Sequence, residues 1–337
     1  MRVLSVAFPA IPVGTVIAAG AEQVLSMLDA GIVERGHKSV VIAAAGSKVF
    51  GQLIESSCHK KTIDRVLAAD SFDVIHFHGL DFWQYLPETE LPMLVTLHLP
   101  VSFYPEHTIE DCRSRGIFLN CVSRSQESSS PLLGGLPVIS NGIRTQFFVP
   151  DEPGGYALWL GRICPEKGTH FALEAARRVD ISLIVAGPVY PYTAHQEYFS
   201  QYVEPLLDDK RRYIGPVGLD EKRRLLSRAD CLLVPCLVAE TSSLVAMEAL
   251  SCGTPVVAFR QGALPEIVDD GETGFIVGSV DEMPRAIAQA RHLSRRLCRE
   301  RAVERFDARR MIEDYLPLYR RMITRRFSMR TAPHENL

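Results

Sequence analysis

Short apolar segments alternate with amphipathic segments along almost the whole chain, and this alternation restricts the fold more than any other feature. In the first half, the runs RVLSVAF, SVVIAAA, FDVIHFHG and MLVTLHLP predict strands, as do the shorter IFLNCVS and PVIS. The segment AEQVLSMLDAGIVERG places Leu25, Leu28 and Ile32 on one helical face and stops at Gly36, and TIDRVLAA predicts a second helix. Strands that alternate with helices in this way form parallel α/β sheets.

The alternation restarts after a turn-rich segment, FFVPDEPGGYA, around Pro150. The strand-like runs YALWL, SLIVAG, RRYIG, CLLVP, PVVAF and GFIVG follow, with helical segments such as HFALEAARRV and DEKRRLLSRA between them. Because 337 residues exceed one core of ordinary size, we predict two Rossmann-like α/β domains, 1–150 and 151–320, that face each other across a cleft. We expect C-terminal helices to about Thr324, with the final helix packed back on the first domain, and a polar, basic tail at 325–337.

Composition excludes some classes of protein. A net charge of −3 gives no reason to expect nucleic acid as a partner. The eight cysteines form no C-x-x-C pair, which predicts reduced, buried thiols and favours the cytoplasm. The N-terminal segment has the composition of a secretory signal, but Pro9, Pro12 and Gly14 interrupt it, and a first strand explains it better. No apolar run reaches the roughly 18 residues that span a bilayer.

The C-terminal segment RRMITRRFSMRTAPHENL is rich in arginine. Its charge would suit weak contact with an anionic membrane surface. A solvated terminal helix is the interpretation that we prefer, because arginine-rich solvated faces are common. The sequence indicates no oligomeric state.

Charged residues follow several predicted strands of the second half. Gly161, Arg162 and Lys167 in LWLGRICPEKGTH come after one strand, and Glu240 comes after CLLVP. Ligands of open parallel sheets bind outside the carboxyl ends of strands, so we expect these side chains to converge on one site. An arginine fork and a lysine point charge suit a diphosphate, although a solvated surface role would be the default for either residue alone.

A helix is predicted to begin within TSSLVAMEALS, directly after this point. Residues 241–243 are types that cap helices, and the amides that follow Ser243, those of Leu244 and Val245, then lack intrahelical acceptors. Such a helix start attracts phosphate, and capping by the serines does not exclude this. Glu248, one turn further on, would be costly to bury without a partner, and the vicinal hydroxyls of a ribose would satisfy it.

These motifs resemble the family 4 retaining glycosyltransferases of the GT-B fold. The family's Gly-Arg and Pro-Glu-Lys-Gly pattern is similar to GRICPEKG, and its E-x7-E motif is similar to Glu240 and Glu248 in ETSSLVAMEALSCGTPVV. GALPEIVDDGETGFIV and VISNGI also resemble family segments. The likeness covers about residues 1–320 and is most specific in the second half.

The resemblance implies roles for the matching residues of the second domain. Arg162 and Lys167 would hold the donor diphosphate, Glu240 would contact donor sugar hydroxyls, and Glu248 would bind the ribose. The phosphates would also meet the helix start, and the nucleobase would lie against the backbone. The residues implied for these last two contacts are Gly161, Ser243, Leu244 and Val245 for the phosphates, and Gly215, Pro216 and Val217 for the nucleobase.

The resemblance also implies two residues of the first domain. Gly20 in AGAEQVL matches a glycine-rich loop near the donor phosphate, and His98 in VTLHLP matches a histidine near the donor sugar. Two departures stand out: Ala19 replaces a glycine, which reduces backbone freedom, and residues 241–243 replace the usual Thr-Phe-Gly. We interpret both as adjustments of the site, because neither removes a charged group.

His76 and His78 alternate on one predicted strand and therefore share a face. A zinc site is conceivable there, but no third ligand at suitable spacing is evident, and hydrogen-bonded strand-end histidines are the better interpretation. The resemblance likewise implies no metal and no cofactor.

The function that follows is transfer of a sugar, such as a hexose, from a nucleotide-diphosphate sugar to an acceptor hydroxyl, with retention of anomeric configuration. UDP- and GDP-sugars are candidate donors, and a saccharide, a lipid or another small molecule is the candidate acceptor. A sugar-nucleotide epimerase of GT-B shape and a non-catalytic nucleotide-sugar-binding protein remain alternatives. A nicotinamide-dependent dehydrogenase does not, because FPAIPVGTVIAAGAE lacks the G-x-G-x-x-G turn.

Overall fold

A computed structural model describes residues 1–14 and 20–331, with side chains through residue 325. Ala19 and the last part of the predicted tail, 332–337, lie outside the described residues. The chain divides into two compact units, Met1–Gly142 together with Ala308–Leu337, and Ile143–Asp307. The chain therefore enters the second unit at Ile143, earlier than the predicted boundary at residue 150. The last helix belongs to the first unit.

The first unit contains a six-stranded parallel sheet in the order β3-β2-β1-β4-β5-β6. Its strands are β1 Arg2–Val6, β2 Lys38–Ala43, β3 Gln52–Glu55, β4 Val74–Phe77, β5 Met93–Leu97 and β6 Phe118–Cys121. Its helices are α1 Gly20–Glu34, α2 His59–Ala69, α3 Thr108–Ser114, α4 Arg124–Ser128 and α12 Ala308–Thr331. Every residue of β4 and β5 is buried, as expected for strands covered on both faces.

Helix α1 shows how the sequence pattern becomes structure. Leu25, Leu28 and Ile32 have no exposed surface, which confirms the predicted apolar face. Gly36 adopts φ +75° just after the helix. Its N–H donates to Val33 O at 2.9 Å, and the N–H of His37 donates to Ile32 O at 3.1 Å, so the last carbonyls of the helix are satisfied.

The second unit contains another six-stranded parallel sheet, in the order β12-β11-β10-β7-β8-β9. Its strands are β7 Ala157–Leu160, β8 Leu183–Ala186, β9 Arg211–Tyr213, β10 Cys231–Val234, β11 Val256–Phe259 and β12 Gly274–Val277. Its helices are α5 Thr169–Arg178, α6 Thr193–Tyr198, α7 Leu219–Arg228, α8 Leu244–Ser251, α9 Leu264–Ile267, α10 Met283–Ala290 and α11 Arg295–Phe306. Apolar clusters cover both faces of this sheet. The prediction of two Rossmann-like α/β domains is confirmed.

Three local predictions were wrong. PVIS is no strand, since only Val138 forms an isolated bridge, with Cys121. Strand β3 was missed because it is a short edge strand whose residues are exposed or half-buried and give no apolar run. The backbone of α12 continues to Thr331, past Thr324, where we expected the C-terminal helices to end.

All eight cysteines are reduced, and seven of them are buried, Cys58 being exposed. None of the helices among the described residues is both long and apolar enough to cross a membrane.

Candidate functional site

The order of strands in the second sheet explains why residues far apart in sequence meet. The chain adds β8 and β9 on one side of β7 and then returns to place β10 on the other side. The loops that follow β7 and β10 therefore lie side by side at the carboxyl edge of the sheet, where parallel sheets bind ligands. Arg162 and Lys167 belong to the first loop, and Glu240 belongs to the second.

Lys167 and Glu240 form a short ion pair between Nζ and Oε1, in which their side chains are 28% and 13% exposed. The Cys236 thiol donates a hydrogen bond of 2.9 Å to the same carboxylate oxygen. Burial alone would lower the pKa of Lys167, but the Glu240 carboxylate outweighs it, and the pKa is raised. Burial and the Glu240 charge raise the pKa of Cys236 to about 12, so its thiol remains a donor at neutral pH.

Two glycines hold the backbone around this pair. Gly168 has φ +63°, and a Cβ there would lie 2.0 Å from Pro235 O, so only glycine lets the two loops approach. Gly262 has φ +53°, and its Cβ would lie 2.2 Å from Glu240 O. That carbonyl accepts a hydrogen bond of 2.7 Å from the N–H of Ala263. The glycines of the PEKG and GALPEIV motifs thus fix the backbone of the charged residues.

Arg162 lies two residues after β7, with 45% of its side chain exposed. Its nearest acidic partner is Glu166, whose carboxylate lies 3.8 Å from Nη2. The positive charge of Arg162 lowers the pKa of Lys167, an effect that opposes the larger effect of Glu240. The neighbouring Gly161 donates its N–H to Ala186 O at 3.1 Å, which joins this loop to the end of β8. The loop therefore presents two cations near one another.

Helix α8 begins next to the charged pair, as predicted. Ser243 occupies the N-cap position and is buried, but its hydroxyl makes no capping hydrogen bond. The first intrahelical bond that reaches back to the cap runs from Met247 N–H to Ser243 O, at 3.2 Å. The amides of Leu244 and Val245 precede it, so the start of α8 retains the partial positive charge of a helix end.

Glu248 lies on the second turn of α8 and is 2% exposed. Lys222 Nζ, from α7, lies 2.5 Å from its Oε2 atom. Burial raises the pKa of Glu248, and the lysine opposes this effect only in part. The protein itself therefore supplies a half-buried cation as a partner of Glu248, which the sequence analysis did not anticipate, and the contact of Glu248 with a ribose stays a prediction.

Lys222 was missed by the sequence analysis, although a signal was present. It lies one helical turn before Leu225 and Leu226, which are buried, and so occupies the apolar face of α7. Its ammonium also lies 5.7 Å from the ring centroid of Phe148. A lysine on an apolar face that packs on another helix indicates a buried carboxylate partner.

The segment predicted to meet the nucleobase follows β9. Gly215 adopts φ +77° and accepts a hydrogen bond of 2.8 Å from the N–H of Gly187. Pro216 is exposed, and Val217 is half-buried against the apolar cluster around α8. These residues lie at the carboxyl edge of the second sheet, as Lys167 does.

The first unit holds the other two predicted site residues. Gly20 is the exposed first residue of α1. His98 follows β5 directly, and its Nε2 lies 3.2 Å from Nδ1 of His78. Burial lowers the pKa of His98 to about 4, so the imidazole is neutral at pH 7.

A buried chain of polar side chains continues from His98. His78 Nε2 lies 3.2 Å from His76 Nδ1, and His76 contacts Tyr319 Oη and Thr96 Oγ1 at 2.7 Å each. Burial lowers the pKa of His76 and of His78 well below the usual value. The interpretation of His76 and His78 as hydrogen-bonded strand residues is confirmed, and their partners are other rings and hydroxyls.

A cavity of about 270 Å³ lies at the opposite edge of the second sheet. Ala157, Ser182 and Cys231, which line it, mark the amino ends of β7, β8 and β10. Ligands of parallel sheets bind at the carboxyl ends, so we do not assign the donor to this cavity.

Comparisons with known proteins show what the chain, and its second unit in particular, is similar to. Residues 154–292 match the family model described as "Glycosyl transferases group 1". The chain is 25% identical over 248 residues to a lipopolysaccharide 1,2-N-acetylglucosaminetransferase of Salmonella typhimurium, covering 70% of this chain and 58% of the relative. It is 36% identical over 132 residues to a D-inositol 3-phosphate glycosyltransferase of Corynebacterium efficiens, covering 36% and 31%. The matches thus span less than two thirds of either relative.

Among solved structures, HepE of Anabaena in complex with UDP and glucose has a TM-score of 0.74 at 18% identity. The alignment covers 94% of this chain and 99% of HepE, which supports the two-domain fold. The resemblance to GT-B glycosyltransferases that the sequence motifs predicted is therefore confirmed, and the match to the group 1 family model lies within the second unit.

Proposed function

We propose that this chain is a retaining glycosyltransferase that moves a sugar, such as a hexose, from a nucleotide-diphosphate sugar to an acceptor hydroxyl. The observation that carries the proposal is the meeting of Lys167, Glu240 and the start of α8 at the point where the second sheet reverses its strand order. UDP- and GDP-sugars are the candidate donors, and a saccharide, a lipid or another small molecule is the acceptor. The reaction uses no metal or other cofactor.

The donor diphosphate binds Arg162, Lys167 and the first amides of α8, from Ser243 onward. Lys167 has Glu240 as its partner in the structure. A bound phosphate would draw the ammonium away and leave the carboxylate to accept hydrogen bonds from hydroxyls of the donor sugar. Breaking the glycosidic bond places negative charge on the diphosphate, and fixed cations stabilise that charge. The departing phosphate helps to deprotonate the acceptor on the same face of the sugar, which retains the anomeric configuration.

The remaining residues complete the assignment. Glu248 binds the ribose while it shares its carboxylate with Lys222, and Gly215 to Val217 lie against the base. In the first unit we assign Gly20 to the phosphate and His98, as a neutral imidazole, to the donor sugar.

Binding is tested by thermal shift with UDP, GDP and ADP on the wild type and on Lys167→Met. A ligand at 100 times its dissociation constant stabilises a protein by about 2.7 kcal/mol. We expect one diphosphate to raise Tm, and Lys167→Met to remove most of that rise. Lys210→Met is the matched control, because Lys210 pairs with Asp180 near the amino edge of the same sheet. No shift with any of the three diphosphates would overturn the proposal.

Turnover is tested with the sugar nucleotide of the base that binds, with and without an acceptor. Because a relative carries D-inositol 3-phosphate in its name, this compound is the first acceptor to try. A transferase releases diphosphate in an acceptor-dependent way, and NMR of the product reports whether the anomeric configuration is retained. An epimerase would instead convert the donor sugar without any acceptor.

A further inference from the structure

Three potential metal ligands, two in the loop between Arg162 and Lys167 and one on α6, lie close together, and the function proposed above does not use them. They are Cys164, Glu166 and His195, and one ligand atom of each lies within 4.8 Å of the other two. Among residues 1–14 and 20–331, these three side chains form the one group of this kind. We propose that these residues bind Zn²⁺.

The backbone brings the three side chains together from two segments. Cys164 and Glu166 flank Pro165, at the start of the short helical turn 165–167 that follows β7. His195 lies on the first turn of α6, which follows β8, the direct neighbour of β7 in the sheet. The site is therefore held at the carboxyl edge of two adjacent strands.

The state of His195 is an independent indication of a missing partner. Its Nδ1 atom is buried and has no hydrogen-bond partner among the described residues. Buried polar atoms in proteins are nearly always paired, and an exception calls for an explanation such as an ion.

The donor set selects the metal. A thiolate, an imidazole and a carboxylate together suit Zn²⁺, whereas Mg²⁺ and Ca²⁺ prefer oxygen ligands alone. Ligand atoms of a tetrahedral zinc ion lie about 3.5 Å apart. Side-chain rotations that move the ligand atoms by about 1 Å would therefore bring the three into coordination distance. Three protein ligands leave a fourth position for water.

Charge balance permits this binding. The Cys164 thiol is buried, and its Sγ lies 3.5 Å from Arg162 O. On binding, the thiol releases one proton to solvent, and the thiolate and the Glu166 carboxylate together neutralise the two charges of the ion. The carboxylate then exchanges its long contact with Arg162, at 3.8 Å, for the metal.

The test is titration of the full-length protein with Zn²⁺ against a chromogenic chelator. We expect one zinc ion per chain, and a loss of affinity of more than about tenfold in Cys164→Ser and in His195→Ala, which are direct ligands. Cys58→Ser is the matched control, since Cys58 is an exposed thiol outside the cluster, and it should bind as the wild type does. Far-UV circular dichroism verifies that each variant is folded.

Cobalt substitution gives a second readout that does not depend on affinity. Co²⁺ bound to the wild type should show thiolate-to-cobalt charge-transfer absorption, which Cys164→Ser should remove and Cys58→Ser should keep. Equal zinc affinity of the wild type and both ligand variants, or no zinc binding by the wild type, would overturn the proposal. Neither readout involves nucleotide, so failure here leaves the transferase proposal untouched.

Discussion

The ion pair between the half-buried Lys222 and the buried Glu248 allows a quantitative prediction of stability. Glu248 is 2% exposed, and Lys222 lies 2.5 Å from its carboxylate. In Lys222→Met the side chain keeps an unbranched apolar stem but loses the ammonium group, which leaves a buried carboxylate unpaired. Removing one partner of such a pair typically costs about 3–5 kcal/mol, which is at least one fifth of the stability of a typical domain, about 5–15 kcal/mol.

Protonation of Glu248 limits this cost. Keeping a carboxyl of ordinary pKa 4.5 neutral at pH 7 costs about 3.4 kcal/mol, at about 1.36 kcal/mol per pH unit. The pKa of Glu248 is already raised in the wild type, so part of this cost is present before the substitution. We therefore expect Lys222→Met to lower the free energy of unfolding by about 2–3 kcal/mol at pH 7.

The pH dependence has a definite sign. In the variant, the native state keeps a proton on Glu248 that the unfolded state releases above pH 4.5, so the loss of stability grows as pH rises. At pH 5 the same calculation gives a loss below about 1 kcal/mol. Urea unfolding at pH 5, 6 and 7, followed by fluorescence, measures this trend.

Two controls complete the experiment. Arg224→Met removes an exposed partner of Glu221 from the same helix and should leave the urea midpoint unchanged. The double variant Lys222→Met/Glu248→Leu replaces the pair by apolar groups and should recover most of the stability that the single variant loses. The reasoning is refuted if Lys222→Met is as stable as the wild type at pH 7, or if its loss of stability does not shrink at pH 5.

Three further outcomes are expected. Burial lowers the pKa of His98 to about 4, so below about pH 6.5 the unfolded state binds a proton that the native state does not, and stability should fall as pH drops towards 4. The urea midpoint should depend less on pH in His98→Gln than in the wild type. An equal dependence of the midpoint on pH in both proteins would contradict this. Lys167→Met removes the cation beside the partly buried Glu240 carboxylate and should lower the free energy of unfolding by about 1–3 kcal/mol in the same assay. The control Lys210→Met should leave the urea midpoint unchanged. Gly262→Ala should destabilise the protein more than Gly271→Ala. Both glycines have positive φ, but only a Cβ at residue 262 would lie close to a backbone atom, at 2.2 Å from Glu240 O. Similar Tm values for the two variants would show that this close contact relaxes easily.

Much of the fold was predictable from local pattern. Burial along a strand or a helix face leaves a period in the sequence, so the segments of both sheets and the face of α1 were identified before any tertiary information. The exceptions follow the same logic. Strand β3 is a sheet edge with little burial, and PVIS is an apolar segment that pairs through a single bridge.

The positions of the site residues were also predictable, because parallel sheets bind ligands at the ends of their strands. Arg162, Lys167 and Glu240 were predicted as candidate site residues from the motifs and from the strands they follow, and the structure places them after those strands. Their side-chain partners were not, since a pairing depends on which strands are neighbours and on which rotamers the packing allows.

The sequence by itself determined where the strands and helices lie and which residues follow them, because local burial and motif spacing are properties of the chain. Only the tertiary structure decided that Lys222 pairs with Glu248, that Lys167 pairs with Glu240, and that His195 lies beside the loop of Cys164. Each of these contacts joins residues about 26 to 73 positions apart, and no local periodicity records such a distance. The reversal of strand order at β7 and β10 brings the loops of Lys167 and Glu240 together, and the packing of neighbouring elements makes the other two contacts.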